Sequence, residues 1–289
     1  MNRVELHNDT WSLELIPQWG GRVALLKAGG LDIMTPIEAD NFDPLAWPKG
    51  GIYPLMPYSN RVRHAKLVHA GIVYELPAHP AALPHTLHGV AQTLPWEVSL
   101  RSKESITLTC KYEGEHWPWR VRFEQRFTLE GNRLHLDLGV TNLGRSSMPT
   151  GIGLHPYFHR HAGMRVELSV AKLWDIDSEY LPTGIAHSHE HPIILDDSLH
   201  GELALYGSEW DGLLKVHYPQ GQLLMEAKSP LSHVIVFAPV DAPYLCLEPV
   251  SHLADAFNAP PSEWSAQGTQ VLEPGQAMTA KLAFSWLPR

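Results

Sequence analysis

The chain of 289 residues is 44% hydrophobic, 18% charged and 9% aromatic, and 22 basic against 31 acidic side chains give a net charge of −9 with histidine neutral. That is the composition of a globular chain, and its dispersed negative charge, with no dense run of Lys and Arg, excludes a nucleic-acid or anionic-membrane surface as the main partner. The 18 histidines and 10 tryptophans stand out, and they point to metal, acid–base or sugar chemistry.

From the N-terminus, no basic segment precedes an apolar stretch of signal length, and no window approaches the ~18 consecutive apolar residues of a membrane span, so a cytoplasmic location is expected. Short segments with a period of two then recur at 11–16, 72–76, 106–112, 119–129, 133–140, 164–170, 213–218, 222–226, 233–237 and 278–286. In Arg133-Leu-His-Leu-Asp-Leu138 the leucines share one face, as a half-buried antiparallel strand requires. Glu130-Gly-Asn132 and Pro219-Gln-Gly221 join pairs of these segments at hairpin spacing. Helical spacing is not sustained over about a dozen residues anywhere, and the 24 prolines and 22 glycines are scattered as punctuation. The predicted fold is all-β, one large antiparallel β-sandwich domain over residues 1–289 with little helix. Irregular stretches at 36–58, 77–95, 181–195 and 251–270 are long enough to be binding loops. Cys110 and Cys246 lie in strand-like apolar runs and read as buried, reduced thiols.

Several constellations could carry chemistry. Asn60-Arg61 ends a loop and offers an amide beside a guanidinium fork, suited to hydroxyls or an anion, or simply a surface arginine. In His85-Thr-Leu-His-Gly89, His88 precedes a glycine that lets a ligand approach the backbone, with His85 behind it; a solvated loop histidine is the alternative. His155 stands before Pro156 in an apolar, aromatic run, where an imidazole needs partners, and it is either functional or a satisfied core residue. Glu248 leaves an apolar strand in Cys246-Leu-Glu-Pro-Val-Ser-His252, fitting either a ligand-binding carboxylate or a structural acceptor. Gln276 follows the tight turn Glu273-Pro-Gly275. His187, His189 and His191 alternate on one extended face, but they spread over about 13 Å and cannot all reach one metal ion without a bend.

In order and spacing these motifs resemble the aldose 1-epimerase (galactose mutarotase) family, in its divergent mutarotase-related branch. The resemblance runs through Trp19-Gly-Gly21, Ser59-Asn-Arg61, Leu87-His-Gly89, His155-Pro-Tyr-Phe158, Leu247-Glu-Pro249 with Ser251-His252, and Leu272-Glu-Pro-Gly275. It implies a β-supersandwich with an open sugar cleft and no metal or organic cofactor. It also implies that Arg61 binds sugar hydroxyls, His88 steadies the ring or anomeric oxygens, and His155 protonates the ring oxygen. Asp196 would be a hydroxyl-binding aspartate, Asn60, Glu248 and Gln276 would line the sugar, and His85 and His252 would support the binding wall. Trp47 or Trp96 could stack on the sugar.

The resemblance places the catalytic base directly after the last Pro-Gly, where this chain has Gln276, which cannot take a proton at neutral pH. The expected function is therefore α/β anomer interconversion of a hexose or related aldose, slowed by the missing base, with Glu248 the stronger of two rescue candidates. The alternatives are a non-catalytic carbohydrate binder on the same fold, a sugar-6-phosphate mutarotase with a second cation such as Arg63 near Arg61, and a metal-dependent enzyme using the surplus histidines. A monosaccharide or sugar derivative is the expected partner in each sugar-directed reading, and the oligomeric state is not encoded in these motifs.

Overall fold

A computed structural model describes residues 3–289. All the strand pairings are antiparallel apart from one isolated parallel bridge, and helix is confined to the four residues Trp264–Gln267 and four single 3₁₀ turns among the described residues. The period-two segments are strands, most of them extended by a few residues at one or both ends, as in Trp117–Glu130, Arg133–Asn142 and Ala277–Pro288.

Two strands are long enough to join two layers. The first half of Leu203–Tyr218 pairs with His233–Ala238, and its second half pairs with Gly221–Ala227. Between the halves, Glu209 and Gly212 take positive φ (53° and 81°), a local bend that turns the strand from one layer into the other. Arg165–Ile176 follows it, with its own register shift between Leu168 and Val170. One layer continues through Gly221–Ala227, Ala277–Pro288, Arg133–Asn142, Trp117–Glu130 and Ser105–Gly114. The other runs from Leu203–Tyr218 through His233–Ala238, Tyr244–Val250, Gly153–His159 and Ile52–Leu55 to the N-terminal strands.

The layers press their apolar faces together over a core that includes Trp11, Trp96, Phe123, Phe127, Phe158 and Phe284, all fully or almost fully buried. Alternation is strict in Trp117–Glu130, whose outward face is exposed along most of its length. It disappears in Ile52–Leu55, Gly153–His159 and Tyr244–Val250, where nearly every side chain is buried. These strands are covered on both faces, on one by the core and on the other by a second apolar cluster built from Trp47, Tyr53, Leu87, Tyr157, Tyr206, Ile235 and Cys246. The expected loop 36–58 therefore contains a strand, and 181–195 contains two, Pro182–Ser188 and Ile193–Leu195. No helix is long and apolar enough to cross a membrane.

Candidate functional site

A cavity of about 310 Å³ opens on the outer face of the doubly covered strands. Its floor follows from register. His155 is paired with Tyr53, Glu248 with Ile235, and Ile235 with Tyr206, while Tyr157 is paired with Cys246 and Cys246 with Phe237. Because side chains two apart share a face, two rows cross the sheet, and His155 and Glu248 fall next to each other. Pro156 and Pro249 lack N–H donors, which loosens the ladder where these two side chains meet.

His155 Nε2 lies 3.3 Å from Glu248 Oε1, and both side chains are buried. The imidazole is clamped between the Tyr53 and Tyr157 rings, each 4.6 Å away centroid to centroid. Burial pushes the Glu248 carboxyl up to about 8, against the opposing charge of Arg61. The same burial, with the charges of Lys49 and Arg22, holds His155 well below its ordinary range. Glu248 Oε2 and His155 Nδ1 have no hydrogen-bond partner, so each group keeps unused polar capacity.

The walls come from loops. Asn60 and His88 have positive φ (57° and 64°), uncommon for residues with a side chain. They hold each other there: the Asn60 N–H donates to His88 Nδ1 at 3.1 Å, and the His88 N–H donates to the Asn60 carbonyl at 2.9 Å. Acceptance at Nδ1 places the proton of the neutral imidazole on Nε2, making His88 a fixed N–H donor in the lining. Burial, then His155 and Arg61, depresses its pKa well below the usual value and keeps it neutral. The Asn60 amide donates to Tyr206 Oη at 3.0 Å. Arg61 lies over the Tyr180 ring, 4.8 Å from its centroid.

Of the residues singled out in the sequence, Asn60, Arg61, His88, His155 and Glu248 converge on this cavity, with Trp47 beside them. Four lie elsewhere. His252 is a buried strut whose Nε2 accepts the Ser59 N–H and whose Nδ1 donates to the Leu253 carbonyl, and burial pushes it down to about 4. His85 accepts the His64 N–H behind the wall, Asp196 is exposed and caps Ser198, and Trp96 belongs to the core. Gln276 sits on an exposed turn with Oε1 accepting the Glu273 N–H, outside the cavity lining. Arg63, the expected second cation, is ion-paired to Asp177 and Asp255. His187 pairs with Asp175, and the cluster of metal-type donors among the described residues is His155, Cys246 and Glu248, whose ligand atoms lie within 4.8 Å of one another.

The aldose 1-epimerase family model matches residues 2–285. The chain belongs to the aldose 1-epimerase family. An uncharacterised Escherichia coli K12 protein, YphB, is 27% identical over 251 residues, covering 81% of this chain and 84% of that one. Among solved structures, one from Escherichia coli K12 described as a candidate aldose 1-epimerase superposes with a TM-score of 0.87 at 22% identity, covering 100% of this chain and 99% of that one. A galactose mutarotase-like protein from Clostridium acetobutylicum superposes at 0.84 with 18% identity, over 99% and 95% of the two chains. These likenesses are of fold, and the fold is that of galactose mutarotase-like proteins.

The cavity of this aldose 1-epimerase family member also contains residues the sequence did not flag: Lys49, Tyr180, Tyr206, Ile235 and Phe237. Lys49, in Trp47-Pro-Lys-Gly-Gly51, had a readable signal, since a cation beside two glycines in a long loop can approach a ligand closely. The aromatic residues had none, because their strand neighbours are equally apolar.

Proposed function

We propose that the protein interconverts the α and β anomers of a monosaccharide, with Glu248 and His155 as the proton-exchanging pair. The observation carrying this reading is the 3.3 Å approach of a buried carboxyl and a buried imidazole in an aromatic-walled cavity. Ring opening needs one group that takes the anomeric hydroxyl proton and one that protonates the ring oxygen. With Glu248 raised and His155 lowered, the pair holds one proton across neutrality, and its transfer over that short gap yields a carboxylate base and an imidazolium acid.

The carboxylate then takes the anomeric proton while the imidazolium gives its own to the ring oxygen, the C1–O5 bond breaks, and an aldehyde forms. Rotation about C1–C2 and the reverse transfers close the ring on the other face, restoring both groups. His88, as a neutral N–H donor, and Arg61 hold the sugar oxygens in place. A cavity near the lower end of ligand-site volumes suits a monosaccharide better than a longer glycan.

The base expected at Gln276 is supplied from the sheet floor in this reading. The exposed position of Gln276, outside the cavity lining, supports this reading over a sugar binder without turnover. Freshly dissolved aldoses followed by polarimetry or NMR should equilibrate faster with the protein than in buffer. No acceleration across a panel of neutral and anionic aldoses would contradict the proposal.

A further inference from the structure

Cys246 lines the cavity, and proton exchange gives it no task. It stands two residues before Glu248 on Tyr244–Val250, so both side chains rise from the same face of the strand, and the neighbouring strand sets His155 against Glu248. One nitrogen, one sulfur and one carboxylate oxygen from these three buried residues lie within 4.8 Å of one another. His155 Nε2 and Glu248 Oε1 are 3.3 Å apart, and the second carboxylate oxygen of Glu248, also buried, has no hydrogen-bond partner. Cys110, the other thiol of the chain, lies on Ser105–Gly114 in the other layer.

Ligands held about 2.0–2.3 Å from a tetrahedral Zn²⁺ ion are about 3.3–3.8 Å from each other, so the His155–Glu248 spacing already matches one edge of such a site. The widest separation exceeds an edge by about 1 Å, which a turn of one side chain closes. Imidazole, thiolate and carboxylate are the donors of a three-residue zinc site whose fourth position stays open, here toward the cavity. Charge favours the same kind of ion. Binding sends the thiol proton and the proton shared by His155 and Glu248 to solvent, leaving one thiolate and one carboxylate to match two positive charges around a neutral imidazole. Arg61 and Lys49 also line the cavity, so a dication without affinity for sulfur or nitrogen meets their repulsion with nothing to offset it.

We infer that His155, Cys246 and Glu248 form an inhibitory site for a thiophilic divalent cation of the Zn²⁺ type, bound in competition with the sugar. The inhibition rests on the mutarotase reading of the same residues: the ion takes the atoms that exchange the protons, so an occupied site neither opens nor closes a ring. The alternating His187, His189 and His191 take no part, since they lie on another strand and the loop after it, with His187 paired to Asp175.

Calorimetry of the metal-free protein with Zn²⁺ and Cd²⁺ reads binding, and anomer-exchange NMR on the same samples reads turnover. One ion per chain with a Kd of about 1 μM or below is expected, with a thiolate-to-metal charge-transfer band for Cd²⁺ and loss of exchange in step with occupancy, reversed by EDTA. An aldose at about ten times its own Kd should raise the apparent Kd for Zn²⁺ about tenfold, whereas Mg²⁺ and Ca²⁺ at ~1 mM should neither bind nor inhibit. Cys246→Ala should weaken Zn²⁺ by at least about 100-fold. Cys110→Ala should keep the wild-type affinity and the Cd²⁺ band, and because Cys246 is then the remaining thiol, this variant assigns the ligand without disturbing the cavity floor. Zn²⁺ bound equally well by Cys246→Ala, or a Cd²⁺ band missing from Cys110→Ala, would overturn the inference, as would exchange undiminished by bound Zn²⁺; the mutarotase reading stands in each case. Zn²⁺ held through Cys246 in a protein that exchanges no anomers when metal-free would instead contradict the mutarotase reading and leave the metal site in place.

Discussion

Glu248 and His155 owe their shifted protonation to the same fact, that the loops cover the outer face of a sheet already covered on its inner one. Burial favours the neutral form of each, raising one group and lowering the other, so the pair spans neutrality with a single proton. The rate of anomer exchange should therefore be level across neutrality and fall as pH rises through about 8, where that proton is lost. Initial rates corrected for buffer catalysis between pH 5 and 9.5 would show this limb, and a rate still climbing at pH 9 would contradict it. The same shift affects stability. A carboxyl raised from 4.5 to about 8 is neutral in folded and unfolded chains below the lower value, and above the upper one the fold carries the cost of a buried charge. Its stabilising contribution thus declines as pH rises between those values, by about 1.4 kcal/mol for each pH unit. Glu248→Gln should gain on the wild type in denaturation midpoint as pH rises from 5 to 8.5; parallel curves would show that the group titrates normally.

At the scale of strands and loops, what could be read from the sequence was set by burial. Strands with one wet face, such as Trp117–Glu130 and Arg133–Asn142, declare themselves by alternation, and so do the hairpin turns between them. Ile52–Leu55 is buried throughout and carries Pro54, so neither period nor propensity distinguishes it from the loop around it. The site strands share that ambiguity because the cavity walls cover them. The motifs nonetheless identified five of the wall and floor residues, since a polar residue inside an apolar run is conspicuous. Whether Gln276 or Glu248 faces the cavity depends on a long-range register that spacing does not encode. The loop geometry gives a further expectation. Gly89 has φ +66° and an added Cβ would lie 2.3 Å from the Met56 carbonyl oxygen, so Gly89→Ala should displace His88. The backbone strain alone is on the order of 1–3 kcal/mol. A lowered melting temperature together with slowed anomer exchange is the expected result, and unchanged values of both would show that the loop relaxes freely.

Over the whole molecule, the surplus of histidine resolves into different tasks. His88 and His155 line the cavity, His252 and His85 fix loops through ring nitrogens accepting backbone N–H groups, and His187 pairs with an exposed aspartate. The continuous sheet sets His155 and Glu248 side by side, loops carry Asn60 and His88 over them, and the core behind the sheet supports the floor. The central claim is that proton exchange belongs to the sheet floor and not to the last turn. Its most direct test is the NMR rate of anomer exchange for Glu248→Gln and Gln276→Glu, measured beside the wild type on the preferred aldose. Glu248→Gln should lose about 10²- to 10⁴-fold of the protein-dependent rate, and Gln276→Glu should leave it within about twofold. A fully active Glu248→Gln, or a large acceleration in Gln276→Glu, would contradict the claim.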